Sequence, residues 1–144
     1  MKTFTLEKGD VLITKDSETP DDIAVPAYVS QSLTNVICGY HLAHIKPVSI
    51  QSKYLFYAFI STQIASQFHI SATGITRYGI GKSDIGNSLF LIPPIEEQEK
   101  IVEYLEQKTA EIKELKEKTL QQIEKLKEFK QILIAEAVTG KIKV

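Results

Sequence analysis

A chain of 144 residues, 24% charged and 43% hydrophobic, has the size of one ordinary domain. No stretch approaches the roughly 18–20 apolar residues that span a bilayer, the opening Met1-Lys2-Thr3-Phe4-Thr5-Leu6-Glu7-Lys8 lacks the apolar run of a secretory signal, and a single cysteine, Cys38, excludes an internal disulfide, in keeping with a reducing cytoplasm. The formal net charge is −1, with seven basic against seven acidic residues over 1–92 and ten lysines against eleven glutamates over 93–144; a nucleic-acid role would therefore be weak alone or draw positive charge from another subunit.

In chain order, Lys8-Gly9-Asp10 is turn-like and Val11-Leu12-Ile13-Thr14 reads as a strand. Residues 23–29 and 40–47 are further strands, the second alternating Leu42, His44 and Lys46 against Ala43, Ile45 and Pro47. Ser52 is placed to cap a helix running to about Ile70, with Tyr54, Tyr57, Ala58, Ala65 and Phe68 among its packing residues. Residues 71–87 hold four glycines in a largely polar stretch and read as loops, and 89–92 as a short strand leading into Pro93-Pro94. At the double proline the composition changes: all five aspartates, all three histidines and six of seven glycines lie before it. The chain is expected to be α+β, a small mixed domain over 1–92 followed by one long helical segment over 93–144.

That helix is the strongest structural signal. Proline suits a first helical turn, where its missing N–H would be unpaired anyway, and Glu96, Glu97 and Glu99 follow where the macrodipole favours anions. Gly140 is placed to end the helix in the left-handed conformation, with Lys141 and Lys143 beyond it. The roughly 43 residues between contain no breaker, a rod of about 65 Å. Alternating steps of four and three from Ile101 land on Ile101, Leu105, Lys108, Ile112, Leu115, Thr119, Gln122, Leu126, Phe129 and Leu133, of which seven are apolar. Leu120, Ile123, Ile132 and Ile134 widen this seam. Glu96–Lys100, Glu114–Lys118 and Glu124–Lys127 are spaced as surface ion pairs. A seam sustained over several heptads belongs to a coiled coil, and no other segment is long enough to partner it. The partner is a second copy or another subunit, and the residues expected at the contact are Ile101, Leu105, Ile112, Leu115, Ile123, Leu126, Phe129 and Leu133.

Catalytic constellations are not found in the sequence. Gly81-Lys82-Ser83 imitates the end of a phosphate-binding loop, but Thr76 stands where its first glycine belongs. Gly74, Gly79 and Gly81 lack the strand and long helix of a dinucleotide fingerprint. His41 and His44, three apart in an expected strand, point to opposite faces, which disfavours a shared metal. Cys38 reads as an inert, partly buried thiol, and Asp10, Asp16, Asp21 and Asp22 as solvated turn residues. No metal and no cofactor is expected. Two loop segments stand out. Thr14-Lys15-Asp16-Ser17-Glu18-Thr19-Pro20 follows a strand end, and Gly74-Ile75-Thr76-Arg77-Tyr78-Gly79 combines a hydroxyl, a phenol and the only arginine of the chain. These side chains address base edges and phosphates.

The same residues carry a family resemblance. Lys8-Gly9-Asp10-Val11-Leu12-Ile13-Thr14-Lys15 with Ser17-Glu18-Thr19-Pro20 resembles the middle of a target recognition domain, the DNA-reading module of type I restriction–modification specificity subunits. Gly74-Ile75-Thr76-Arg77-Tyr78 is similar to a later loop of that domain. Leu91-Ile92-Pro93-Pro94-Ile95-Glu96-Glu97-Gln98 resembles its junction into a long conserved helix, and Ala137-Val138-Thr139-Gly140-Lys141-Ile142 the end of that helix. The resemblance implies two recognition domains per subunit, each reading half of a split DNA sequence, and two antiparallel helices that set the gap. Methylation subunits bind beside them and use S-adenosylmethionine, and restriction subunits are further partners. With one domain, beginning at what looks like its middle, and one helix, this chain resembles half a subunit.

Together with the single cysteine and the unpartnered seam, the resemblance leads to the expectation of a non-enzymatic, cytoplasmic DNA-recognition component acting on double-stranded DNA as a homodimer. Lys15, Ser17, Glu18, Thr19, Thr76, Arg77, Tyr78 and Lys82 are its expected DNA contacts. The alternative is an interaction protein in which the coiled coil is the function and the small domain does not bind DNA.

Overall fold

The computed structural model describes residues 5–142; Lys2 and Lys143 lie outside them. The elements run β1 (Val11–Thr14), β2 (Asp16–Ser17), a 3-10 turn (Pro20–Asp22), β3 (Pro26–Tyr28), β4 (Leu42–Ile45), α1 (Ser52–Ile60), α2 (Thr62–Ser71), β5 (Tyr78–Gly79), α3 (Lys82–Asn87) and α4 (Ile95–Val138). The expected α+β architecture with a long C-terminal helix is therefore present. β1 opens with three successive apolar residues, a pattern that demands cover on both faces. β3 and β4 flank it antiparallel, in the order β3–β1–β4, with Leu12 opposite Ala27 on one side and His44 on the other. Val11 and Ile13 face the main core, built with Leu55 and Phe59 of α1, Ile64 and Phe68 of α2, and Ile23. Leu12 points the other way and meets Leu6 and Val29 in a smaller core.

Several local expectations are corrected. The single helix over 52–70 is two helices, broken at Ser61, whose extended backbone ends α1 and begins α2. The Ser61 hydroxyl donates to the Ala58 carbonyl, the local bonding by which serine competes with a continuing helix. The break lets Phe59 and Phe68 stack at 5.6 Å between centroids in one core. Gln51, not Ser52, caps α1, its Oε1 accepting from the Tyr54 N–H at 2.5 Å. Residues 71–87 hold the short elements β5 and α3 as well as loop.

Residues 89–92 form no strand among the described residues. The Gln67 side-chain amide accepts from the Leu89 N–H and donates to the Leu89 carbonyl, while the Tyr54 hydroxyl donates to Leu91 O at 2.7 Å. Side chains of α1 and α2 thus satisfy backbone groups that a neighbouring strand would otherwise take.

Asp10 departs from the solvated-turn expectation: it is 5% exposed. Its Oδ2 accepts from the Glu7 N–H at 2.9 Å and from His44 Nε2 at 2.6 Å. Burial alone would raise its pKa, but the Glu7 N–H and then the bond and charge of His44 outweigh it and hold the carboxyl below its ordinary value. A depressed folded-state pKa adds stability that is complete above the unfolded value, about 3.9, and is lost as pH falls through the folded one. Asp10→Asn should therefore lower the urea midpoint at neutral pH, and the gap to wild type should close progressively below about pH 4. A gap that is constant down to strongly acid pH would contradict this linkage.

The chain forms two compact units, one ending at Val102 and one beginning at Glu103. The first turns of α4 belong to the first unit, where Gln98 and Val102 are buried. Pro93 and Pro94 precede the helix and do not enter its first turn; the Pro94 carbonyl accepts from the Glu97 and Gln98 N–H groups. At the far end Gly140 has φ +71°, and the Lys141 and Gly140 N–H groups donate to the Glu136 and Ala137 carbonyls, the paired bonds of a glycine-closed C-terminus. Along the second unit Glu114–Lys118 and Glu124–Lys127 pair as spaced, joined by Lys108–Glu111. The seam is open: Ile112, Leu115 and Leu126 are each about two-thirds exposed, and Ile123, Phe129 and Leu133 are also exposed. Ile101 and Leu105 are partly buried. No helix of the described residues is long and apolar enough to cross a membrane.

Candidate functional site

The two loop segments singled out by their side chains lie some 60 positions apart in sequence, and strand pairing joins them. β2 and β5 run antiparallel with Asp16 opposite Gly79 and Ser17 opposite Tyr78. Lys15 is the backbone hub: its N–H donates to the His41 carbonyl at 2.9 Å and its carbonyl accepts from the Ile80 N–H at 3.0 Å. Three chain segments, 14–19, 39–41 and 73–80, therefore meet at the end of β1.

The loop over 74–78 is closed tightly. Thr73 and Gly79 exchange both backbone hydrogen bonds, at 3.1 and 3.0 Å. A Cβ on Gly74 would lie 1.9 Å from the Arg77 carbonyl oxygen, so only glycine fits. Gly74→Ala must open the loop, and the expected cost is about 1–3 kcal/mol of stability. Amide exchange at Thr73 and Gly79 should accelerate; unchanged protection of both amides would mean that the loop tolerates a side chain there.

Side-chain geometry centres on Asp16. Its Oδ1 accepts from Arg77 Nε at 2.8 Å and His41 Nδ1 at 2.7 Å and forms an ion pair with Arg77 Nη2 at 2.7 Å. Its partial desolvation works to raise the carboxyl pKa, but the bonds from Arg77 and then His41 prevail and lower it. Lys15 Nζ sits 4.4 Å from the Tyr40 ring centroid, and that ring meets His41 edge-on at 5.4 Å. Tyr40 is 82% exposed. The Ser17 and Thr19 hydroxyls turn to the Asp22 carboxylate, at 3.5 and 2.8 Å, and the Thr14 hydroxyl donates to the Asp22 carbonyl. Glu18 and Thr76 are exposed, and Lys82 is the exposed first residue of α3. Tyr78 differs from its neighbours because its ring packs against the main core.

Thus the two segments are joined by Ser17 opposite Tyr78 and by Arg77 on Asp16, while the Ser17 and Thr19 hydroxyls turn to Asp22. Asp16, Tyr40 and His41 complete the cluster, although the side-chain inventory did not select them. Asp16 lies inside a selected segment, but an aspartate in a turn reads as solvated. His41 belongs to a turn instead of the expected strand. The two histidines engage different aspartates, His41 with Asp16 and His44 with Asp10. Among the described residues no group of three or more histidine, cysteine or acidic side chains is placed to hold a metal. Cys38 is partly buried, and that burial pushes its thiol pKa up.

Residues 1–125 match the family described as type I restriction modification DNA specificity domain. The chain belongs to that family. The specificity-domain match takes in the whole loop cluster and much of α4. The fold is similar to that of a type I restriction-modification system S subunit from M. genitalium, with a TM-score of 0.51 and 18% identity over 74% of this chain. The specificity domain described here spans 27% of that S subunit's length. A search of curated proteins gives no match.

Proposed function

We propose that this specificity domain recognises double-stranded DNA as the target-reading component of a type I restriction–modification assembly, and that it acts in the cytoplasm without catalysing a step itself. The observation that supports this reading is the β2–β5 pairing, which joins the segment carrying Lys15 and residues 17–19 to the segment carrying Thr76 and Arg77. Lysine and arginine address phosphate and guanine, hydroxyls serve either, and the exposed Glu18 suits a cytosine amino group. Tyr78, anchored in the core, supports the loop. Lys82 adds positive charge at the start of α3.

With a net charge of −1, the chain has little phosphate attraction of its own. Companion methylation subunits would supply that charge, bind S-adenosylmethionine and perform the chemistry; restriction subunits would be further partners. The open apolar seam of α4 supports pairing with a second copy as an antiparallel coiled coil, through Ile112, Leu115, Ile123, Leu126, Phe129 and Leu133, with Ile101 and Leu105 at its start. Two copies related by a two-fold axis would read a split palindrome.

In a bandshift with methylation subunits present, Arg77→Ala should weaken binding several-fold. Unchanged affinity and unchanged sequence choice would remove Arg77 from the site. A chain that dimerises yet never raises the DNA affinity of any methylation complex would favour the pure interaction role.

A further inference from the structure

We infer that Asp16 and His41 hold Arg77 as a reader of one guanine base, so that Arg77 fixes a position of the target sequence and does not serve as a phosphate clamp. The inference rests on the DNA-recognition reading above and assigns a sequence-determining role within it.

The geometry separates two kinds of arginine contact. A guanidinium has a side-on edge, formed by Nε and Nη2, and an end-on edge, formed by Nη1 and Nη2. Here the side-on edge faces Asp16: Nε donates to Oδ1 at 2.8 Å, and Nη2 makes an ion-pair contact with the same oxygen at 2.7 Å and lies 3.5 Å from His41 Nδ1. Among the described residues no hydrogen-bond partner engages Nη1, and the side chain is 51% exposed. The end-on edge is thus open to a ligand at Nη1, and with the remaining Nη2 hydrogen it forms a fork that matches the O6 and N7 acceptors of guanine in the major groove.

Electrostatics point the same way. Arg77 and Asp16 together carry no net charge when both are ionised, and the carboxylate lies where an approaching phosphate would be repelled. A neutral base edge needs a fork in a fixed direction more than it needs net charge. The direction is fixed from both ends. His41 donates to the same Asp16 oxygen at 2.7 Å, and the backbone of Arg77 is held by the Gly74 approach and the Thr73–Gly79 closure. Preorganisation of this kind removes the ordering cost that a free arginine would bear on binding.

The test uses the full chain with its methylation subunits and, as probe, a pool of duplexes with a fully randomised core. Wild type should enrich a motif with an obligatory guanine. R77K should lose preference at that position alone, by roughly 5- to 150-fold, and 7-deazaguanine there should weaken wild type but not R77K. D16N, a positioning variant, should relax the same position while binding arbitrary duplex more tightly, with a salt slope steeper by about one ion. Steepening of that kind would not follow from mere loss of structure. If D16N does not fold, R77K and 7-deazaguanine decide alone. If R77K keeps the whole motif, or weakens every sequence alike, the guanine assignment fails and DNA recognition stands. If wild type enriches no motif, both fail.

Discussion

Leu115→Glu combined with Leu126→Glu is expected to turn an associated chain into a monomer in sedimentation. Both leucines lie on the second unit's open seam, 65% and 66% exposed, and exposed apolar surface this continuous is unusual on a monomer. Burial of each leucine against a second helix stabilises the pair by about 1.5–3 kcal/mol, so with both copies changed, four leucines and roughly 6–12 kcal/mol are lost before any cost of burying glutamate. That corresponds to about a 10⁴- to 10⁹-fold weaker dissociation constant. Helicity should survive, because the glutamate side chain is a good helix former. A wild-type chain that stays monomeric at high concentration would contradict self-pairing and leave a foreign helix as the partner.

Gln98→Ala is expected to give a large loss of stability. Gln98 is 1% exposed, and both ends of its amide are engaged: Oε1 accepts from the Gln51 N–H at 2.8 Å and Nε2 donates to the Pro93 carbonyl at 2.7 Å. Gln51 in turn caps α1. Alanine would leave both backbone groups without these partners and open a void, which together cost about 2–4 kcal/mol. For a domain of this size the melting temperature should fall by roughly 10 °C or more. Gln98→Glu should also destabilise, since a carboxylate still accepts from Gln51 but repels the Pro93 carbonyl. A Gln98→Ala melt within a degree or two of wild type would show that the junction is held by something other than this amide.

This residue also shows what the sequence could and could not disclose. The Pro-Pro-x-Glu-Glu-Gln junction is readable as a pattern, and its chemistry becomes clear only when Gln98 is seen bonded to Pro93 at one end and Gln51 at the other. The long helix was legible because periodicity and breakers are local properties: proline before Ile95 and glycine at 140 bound it as expected. Val11–Thr14 was legible for the same reason. The break at Ser61 was not, because apolar spacing continues through it and only core packing of Phe59 against Phe68 shows its use.

The candidate site divides in the same way. Residue type alone picked out Lys15 and Arg77, whereas their meeting depends on a two-residue strand pair that no periodicity announces. Asp16 and His41 were hidden because their roles are relational. An aspartate in a turn is ordinary until an arginine and a histidine are found on one of its oxygens.

The central claim is that this domain chooses DNA sequence for companions that modify it. Its most direct test is co-purification of the full chain with a methylation subunit, followed by mapping of methylated sites genome-wide. The account predicts methylation at one split, palindromic sequence that changes at a single guanine position in R77K. Methylation that is absent, or whose sequence is indifferent to this chain, would contradict it.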